Sequence, residues 1–157
     1  MALYDNVDDL IAHLTKDVKA SLQEIKEHHI DDAMEQAIDE TVYSVTFEAN
    51  NGYKRREEIG GLKDRRNFQS STIDTLNGVE MNIRNTTTGN QRYSGSTNNM
   101  IDTIIVSGKG YSWRNSAYYI ANGLGRPIKR DFYSATHKKV KDNVGHLLAQ
   151  ELKNKGW

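Results

Sequence analysis

Cysteine is absent from these 157 residues, proline occurs once, and aromatic residues make up only 8% of the chain. Without a thiol there is no disulfide, no thiolate metal ligand and no cysteine nucleophile, which fits folding in a reducing cytoplasm. Long apolar runs are missing too, and none approaches the length needed to span a bilayer. The opening "MALYDNVDDL" is acidic where a secretory leader would be basic, so no export segment is expected. Net charge is also nil, with 21 basic and 21 acidic side chains, but they are unevenly placed. Residues 1–40 hold eleven acids against three bases, and residues 108–157 hold ten bases against three acids. Two solvated helices of opposite sign would explain that gradient. So would a negative face of one subunit meeting a positive face of the next in a head-to-tail contact. A basic tail for nucleic acid is a third reading.

The length suits one domain with a modest core. Within it, residues 1–49 read as helical, 50–128 as loops and sheet, and 129–155 as a C-terminal helix. Apolar residues at Val7, Leu10, Ile11, Leu14, Val18, Leu22 and Ile25 step by three and four, as one stripe of an amphipathic helix does. The pair His28-His29 interrupts the stripe, and a second begins with Ile30, Met34, Ile38, Val42 and Val45. Although "TVYSVTF" has strand propensity, that spacing predicts helix to about Glu48, with "NNG" at 50–52 as the stop. "FQSSTIDTL" and "VEMNIRNTT" read as a hairpin whose tight turn is Asn77-Gly78. In its second strand Val79, Met81 and Ile83 alternate with Glu80, Asn82 and Arg84, giving one buried and one wet face. Residues 86–99, rich in Thr, Gly, Asn and Ser, read as a loop. "MIDTIIVSGKGYSW" is a short helix or strand ended by Ser107-Gly108. Pro127 lies in "GLGRPIKRDFY", and Phe132, Val140, Val144, Leu147, Leu148 and Leu152 make the last amphipathic helix. The expected class is α+β: two N-terminal helices, a small antiparallel sheet with long loops, and a C-terminal helix.

Chemistry is harder to find. "SGKGYS" lacks the earlier glycine and the following Ser or Thr of a phosphate-cradling loop. "GLGRP" does not open a helix as a dinucleotide fingerprint would. His28 and His29 are helix neighbours that diverge, and His137 and His146 lack an acidic ligand at metal spacing. No nucleophile elbow is present. Asp8-Asp9, Asp31-Asp32 and Glu57-Glu58 are adjacent pairs, better read as solvated faces than as general acid and base. No catalytic, metal or cofactor site is expected.

The oddest segment is "YKRREEIGGLKDRR", with six basic residues and a Gly-Gly pair. Lys54, Arg55, Arg56, Lys63, Arg65 and Arg66, near Tyr53 and Phe68, form a candidate phosphate-contacting cluster. A second runs from 126 to 141, including Lys129, Arg130, Lys138, Lys139 and Lys141. Glu57, Glu58 and Asp64 break up the first, and the neutral balance argues against a nucleic-acid module, which stays as the alternative reading.

Four pieces resemble, in order and spacing, the small neck proteins of tailed bacteriophages, called head–tail joining or tail completion proteins. They are "VYSVTFEANNGYKRREEIGGLKD", "IIVSGKGYSW", "GRPIKRDFYSAT" and the closing "LLAQELKNKGW". The resemblance covers most of residues 30–157. It implies a non-enzymatic virion protein, made in the bacterial host cytoplasm. Such a protein forms a ring, commonly of six subunits, that completes the tail and joins it to the head connector. The implied partners are further copies of itself, the head connector or stopper, and tail tube or terminator proteins. Genomic DNA would pass through the lumen without sequence-specific binding, and no membrane is involved. Where relatives often carry a shorter, more apolar stretch, this chain has "NTTTGNQRYSGSTNN". On this reading the docking core is Tyr53, Arg55, Arg56, Gly61 and Leu62. An aromatic anchor, bidentate donors and a glycine for close backbone approach are what such a contact uses. Arg126, Pro127, Arg130 and Phe132 form a second patch, which local packing around Phe132 would explain as well.

Overall fold

In the computed structural model, the described residues are 4–44, 59–87, 101, 105–107 and 129–157. Helix α1 runs over Val7–Ile25. Asn6 caps it by accepting the Asp9 N–H at 2.8 Å, and Asp8 and Asp9 place negative charge at the positive end of the helix dipole. It does not end at the histidine pair. A π turn over Lys26–Ile30 leads directly into α2, Asp31–Ile38, and a second π turn over Asp39–Tyr43 follows. The two expected N-terminal helices therefore join in one run. A π turn closes its hydrogen bonds five residues apart, holding one residue more than an α turn. That extra residue is what the sequence shows as a step of five, from Ile25 to Ile30. The β-branched stretch stays helical through Tyr43, with Val42 buried and Thr41 Oγ1 donating to the Ala37 carbonyl at 2.6 Å. The continuation to Glu48 and the 50–52 stop lie outside the described residues.

Strands β1, Phe68–Thr75, and β2, Gly78–Asn85, pair antiparallel as a two-stranded sheet. The expected turn shifts by one residue. Thr75 lies opposite Gly78, so Leu76 and Asn77 form the loop and Gly78 opens β2. Among the described residues no non-glycine has positive φ, whereas Gly78 sits at 142°. Glycine takes the conformation that asparagine would resist, and this fixes the register. Phe68, Ser70, Thr72 and Asp74 share a face with Asn85, Ile83, Met81 and Val79. That face meets α1, where Ser70 Oγ donates to Gln23 Oε1 at 3.0 Å and Lys19 Nζ donates to Asp74 at 2.8 Å. Val79, Met81 and Ile83 are half-buried and Glu80, Asn82 and Arg84 exposed, so the alternation holds.

The single C-terminal helix expected over 129–155 is two helices. Helix α3, Phe132–Val140, starts at Asp131, whose carboxylate accepts the Ser134 N–H at 3.0 Å and the Ser134 hydroxyl at 2.9 Å. Helix α4 covers Val144–Asn154, after a turn in which the Asn143 N–H donates to the Val140 carbonyl. The step from Val140 to Val144 suits one continuous helix, which is why the break is invisible in the pattern. Packing imposes it: α3 lies on α2, burying Phe132 and Thr136, while α4 lies on α1. Gly156, at φ 94°, closes α4 with a Schellman motif, the Trp157 N–H reaching the Leu152 carbonyl. The Trp157 ring then stacks on Tyr4 and its Nε1–H donates to Asp17 at 2.8 Å.

The core is Met34, Ala37, Ile38, Val42, Leu62, Phe68, Ile101 and Phe132. It joins the helical run, the turn before β1, the first residue of β1, Ile101 and α3, with Ile105 and Val106 packed against it. Ile25 adds a buried contact at the base of α1. α1 beyond it has only half-buried apolar residues, with Val7 and Ile11 exposed.

Candidate functional site

The described half of the basic segment forms a closed turn against α2. Gly60, at φ 68°, begins it, and its N–H donates to Asp64 Oδ2 at 2.7 Å. The buried Asp64 carboxylate also accepts from Arg66, through Nε at 2.8 Å and Nη2 at 2.6 Å. Those bonds, Arg66 first and the Gly60 N–H second, hold Asp64 far below the usual carboxylate range. The Gly61 carbonyl accepts the Thr87 hydroxyl at 2.9 Å and the Asp64 N–H at 3.2 Å. The Leu62 carbonyl accepts Asn85 Nδ2 at 2.7 Å.

Two cations of this turn, Lys63 and Arg65, are matched to acids on the helical run. Arg65 makes a bidentate contact with Glu35, both distances 2.8 Å, and a further one with Asp32. Lys63 holds Asp39 at 2.8 Å. From α3, Lys139 reaches Glu40 at 2.8 Å. The Arg65 guanidinium is pushed upward from its ordinary value by Glu35 and then Asp32. Acid-rich helix and basic turn thus neutralise one another within a subunit, and the described cations that sequence singled out as phosphate contacts, Lys63, Arg65 and Arg66, are all engaged.

Of the nine predicted interface residues, Tyr53, Arg55, Arg56, Arg126 and Pro127 lie outside the described residues. Gly61 and Leu62 are buried in the turn, and Leu62 belongs to the core. Phe132 is fully buried, its ring centroid 4.3 Å from that of Tyr133. Arg130 is nine-tenths buried, and its N–H donates to the Ile105 carbonyl at 2.9 Å. The structure thus brings Leu62 and Phe132 to one core and sets Arg130 at the entry to α3.

Sequence reasoning missed two features. One is a buried ion pair across the first π turn, where Lys26 Nζ lies 2.9 Å from Asp31 Oδ2. A spacing of five signals nothing on an α-helix, so only the π turn brings these two together. The other is an open groove of about 370 Å³ between that π turn and the junction of α3 and α4. Its lining mixes the apolar Ile30, Ala33, Val140, Val144 and Leu147 with the polar His28, His29, Asp32, Gln36, Lys139 and Asn143. Among the described residues no three His, Asp or Glu side chains converge as a metal site would require, and no helix is long and apolar enough to cross a membrane.

These features define a small α+β protein whose polar side chains chiefly brace its own fold, with a groove and a hairpin left open to contact. The chain belongs to the YomN family, whose model, described as YomN, matches residues 6–154. That family is phage-derived, and the protein is accordingly of phage origin. No curated protein and no solved structure matches the chain.

Proposed function

We propose that this phage protein is a structural component of the virion neck. It assembles as a ring, of six copies on the expectation above, that completes the tail and joins it to the head connector. Its partners are further copies of itself and the adjoining connector and tail proteins, with DNA threading the lumen. Catalysis has no part in this role. The observation that carries the reading is the pairing of the basic turn with its own helix. Arg65 is committed to Asp32 and Glu35, and Lys63 to Asp39, so these cations are less available to phosphates than their sequence density implies. Apolar side chains, by contrast, stand in solvent at Val7, Ile11, Ile59, Ile73 and Leu76, as subunit contacts would use them.

Light scattering of the protein alone, and with duplex DNA at low and moderate salt, tests the proposal. A discrete ring-sized oligomer indifferent to DNA is the expected result. A monomer whose DNA affinity falls steeply with salt would replace it with the nucleic-acid reading.

A further inference from the structure

The hairpin tip carries an Asn-Gly pair that the rest of the described fold leaves uncovered. Leu76 and Asn77 form the two-residue loop, and every residue from Thr75 to Gly78 is exposed. Neither loop residue has positive φ, so the loop is not one of the mirror-image turns that best match strand twist. Among the described residues nothing hydrogen-bonds the Asn77 carboxamide, whereas those of Asn6, Asn67, Asn82 and Asn85 are all engaged. A Cβ added at Gly78 would meet nothing within 4 Å. The main-chain nitrogen after Asn77 thus has no side chain of its own beside it and no distant neighbour crowding it. Thr75 opposite Gly78 is the last rung of the ladder, and ladder ends open first.

This is the setting for intramolecular imide formation. The Gly78 nitrogen gives up its proton and attacks Asn77 Cγ. A new N–Cγ bond forms, the Cγ–Nδ2 bond breaks, and ammonia leaves. Water then opens the five-membered ring. Opening at one carbonyl leaves aspartate at position 77. Opening at the other leaves isoaspartate, in which the main chain runs through the former side-chain methylene. The balance takes up one water and releases one ammonia.

We propose that Asn77 is a site of spontaneous deamidation in the folded protein, and that the reaction alters the hairpin tip. Either product adds a carboxylate where Asp74 and Glu80 are already exposed and no base occurs between positions 67 and 83. Isoaspartate also lengthens the backbone of a two-residue loop by one carbon. Loop length sets hairpin register, so the pairing of Thr75 with Gly78 is the first to be lost. This chemistry is independent of the neck assignment.

Incubation of the dilute full-length protein at physiological temperature, followed by peptide mapping and an isoaspartate-specific methylation assay, tests the site. Conversion at Asn77 should outrun that at Asn82 by about tenfold or more, because Ile83 follows Asn82 and its amide is tied to Glu80. The rate should rise with pH, since the attacking amide must shed a proton. It should also lie within about tenfold of the rate in urea, because the exposed tip gives little protection. Asn77→Gln, which would have to close a larger ring, should lose the product and keep the thermal midpoint. An Asn77 that converts in urea but stays intact in the native protein overturns the proposal, because the hairpin then guards the site. Equal rates at Asn77 and Asn82 overturn it as well.

Discussion

Replacing Lys26 by methionine removes a charge from inside the helical run while keeping most of the side chain's length. The two partners are 8% and 5% exposed, with Nζ 2.9 Å from Oδ2. Breaking such a pair strands the remaining charge in a poorly solvated site, at a cost of about 3–5 kcal/mol. Asp31 has a partial escape. Burial already pushes its carboxyl above the ordinary range, while the hydrogen bond and charge of Lys26 pull it back down. Without Lys26 the burial acts almost unopposed, and Asp31 takes up a proton instead of remaining ionised. The expected loss at pH 7 is therefore about 3 kcal/mol, the lower end of the range. An acid that titrates higher in the folded than in the unfolded state gives stability that falls as pH rises through that window. The deficit of Lys26→Met relative to wild type should accordingly shrink between pH 7 and pH 5. Adding Asp31→Leu removes the stranded group, and the double variant should return to within about 1 kcal/mol of wild type. Urea unfolding of wild type, Lys26→Met and the double variant at both pH values measures all of this. A loss below about 1 kcal/mol for Lys26→Met, or a deficit independent of pH, would refute the argument.

Three other outcomes follow from the packing and the charges. Phe132→Ala should cost about 3–5 kcal/mol in urea unfolding, because a fully buried ring is removed from the meeting point of α3 and the helical run. Arg65→Ala should cost only about 1 kcal/mol, since its ion pairs are half open to solvent, and the loss should diminish in high salt. Asp64 and Asp131 are both held below the usual carboxylate range, the first mainly by Arg66 and the second mainly by the Ser134 N–H. Groups lowered in this way stabilise the fold above about pH 4 and lose that contribution as pH falls further. An acid titration followed by circular dichroism should therefore show a shallower acid limb in Asp64→Asn and Asp131→Asn than in wild type.

The helical character of residues 7–43, the alternation along β2 and the α+β class were all legible in local periodicity. Each depends on which side chains a single element must bury, and spacing reports that directly. Even the first π turn left a trace, as the five-residue step from Ile25 to Ile30, though spacing alone reads there as an interruption. The hairpin was legible to within one residue, and the positive φ of Gly78 decided the last step. What periodicity did not carry was direction. Val140 and Val144 keep helical phase across a break that exists because α3 must lie on α2 and α4 on α1. The candidate site divides in the same way. The density of cations at 54–66 was plain in the sequence, but the fate of Lys63 and Arg65 depends on acids 24 to 33 residues away. Leu62 and Phe132 were expected as contact residues from the segments that resemble neck proteins, and the fold brings both into its own core. Composition and local spacing, then, determined the elements and their faces. Which charges neutralise one another, where a helix turns, and which apolar residues remain in solvent were decided by contacts between segments distant in sequence. Those contacts form only when the chain closes on itself.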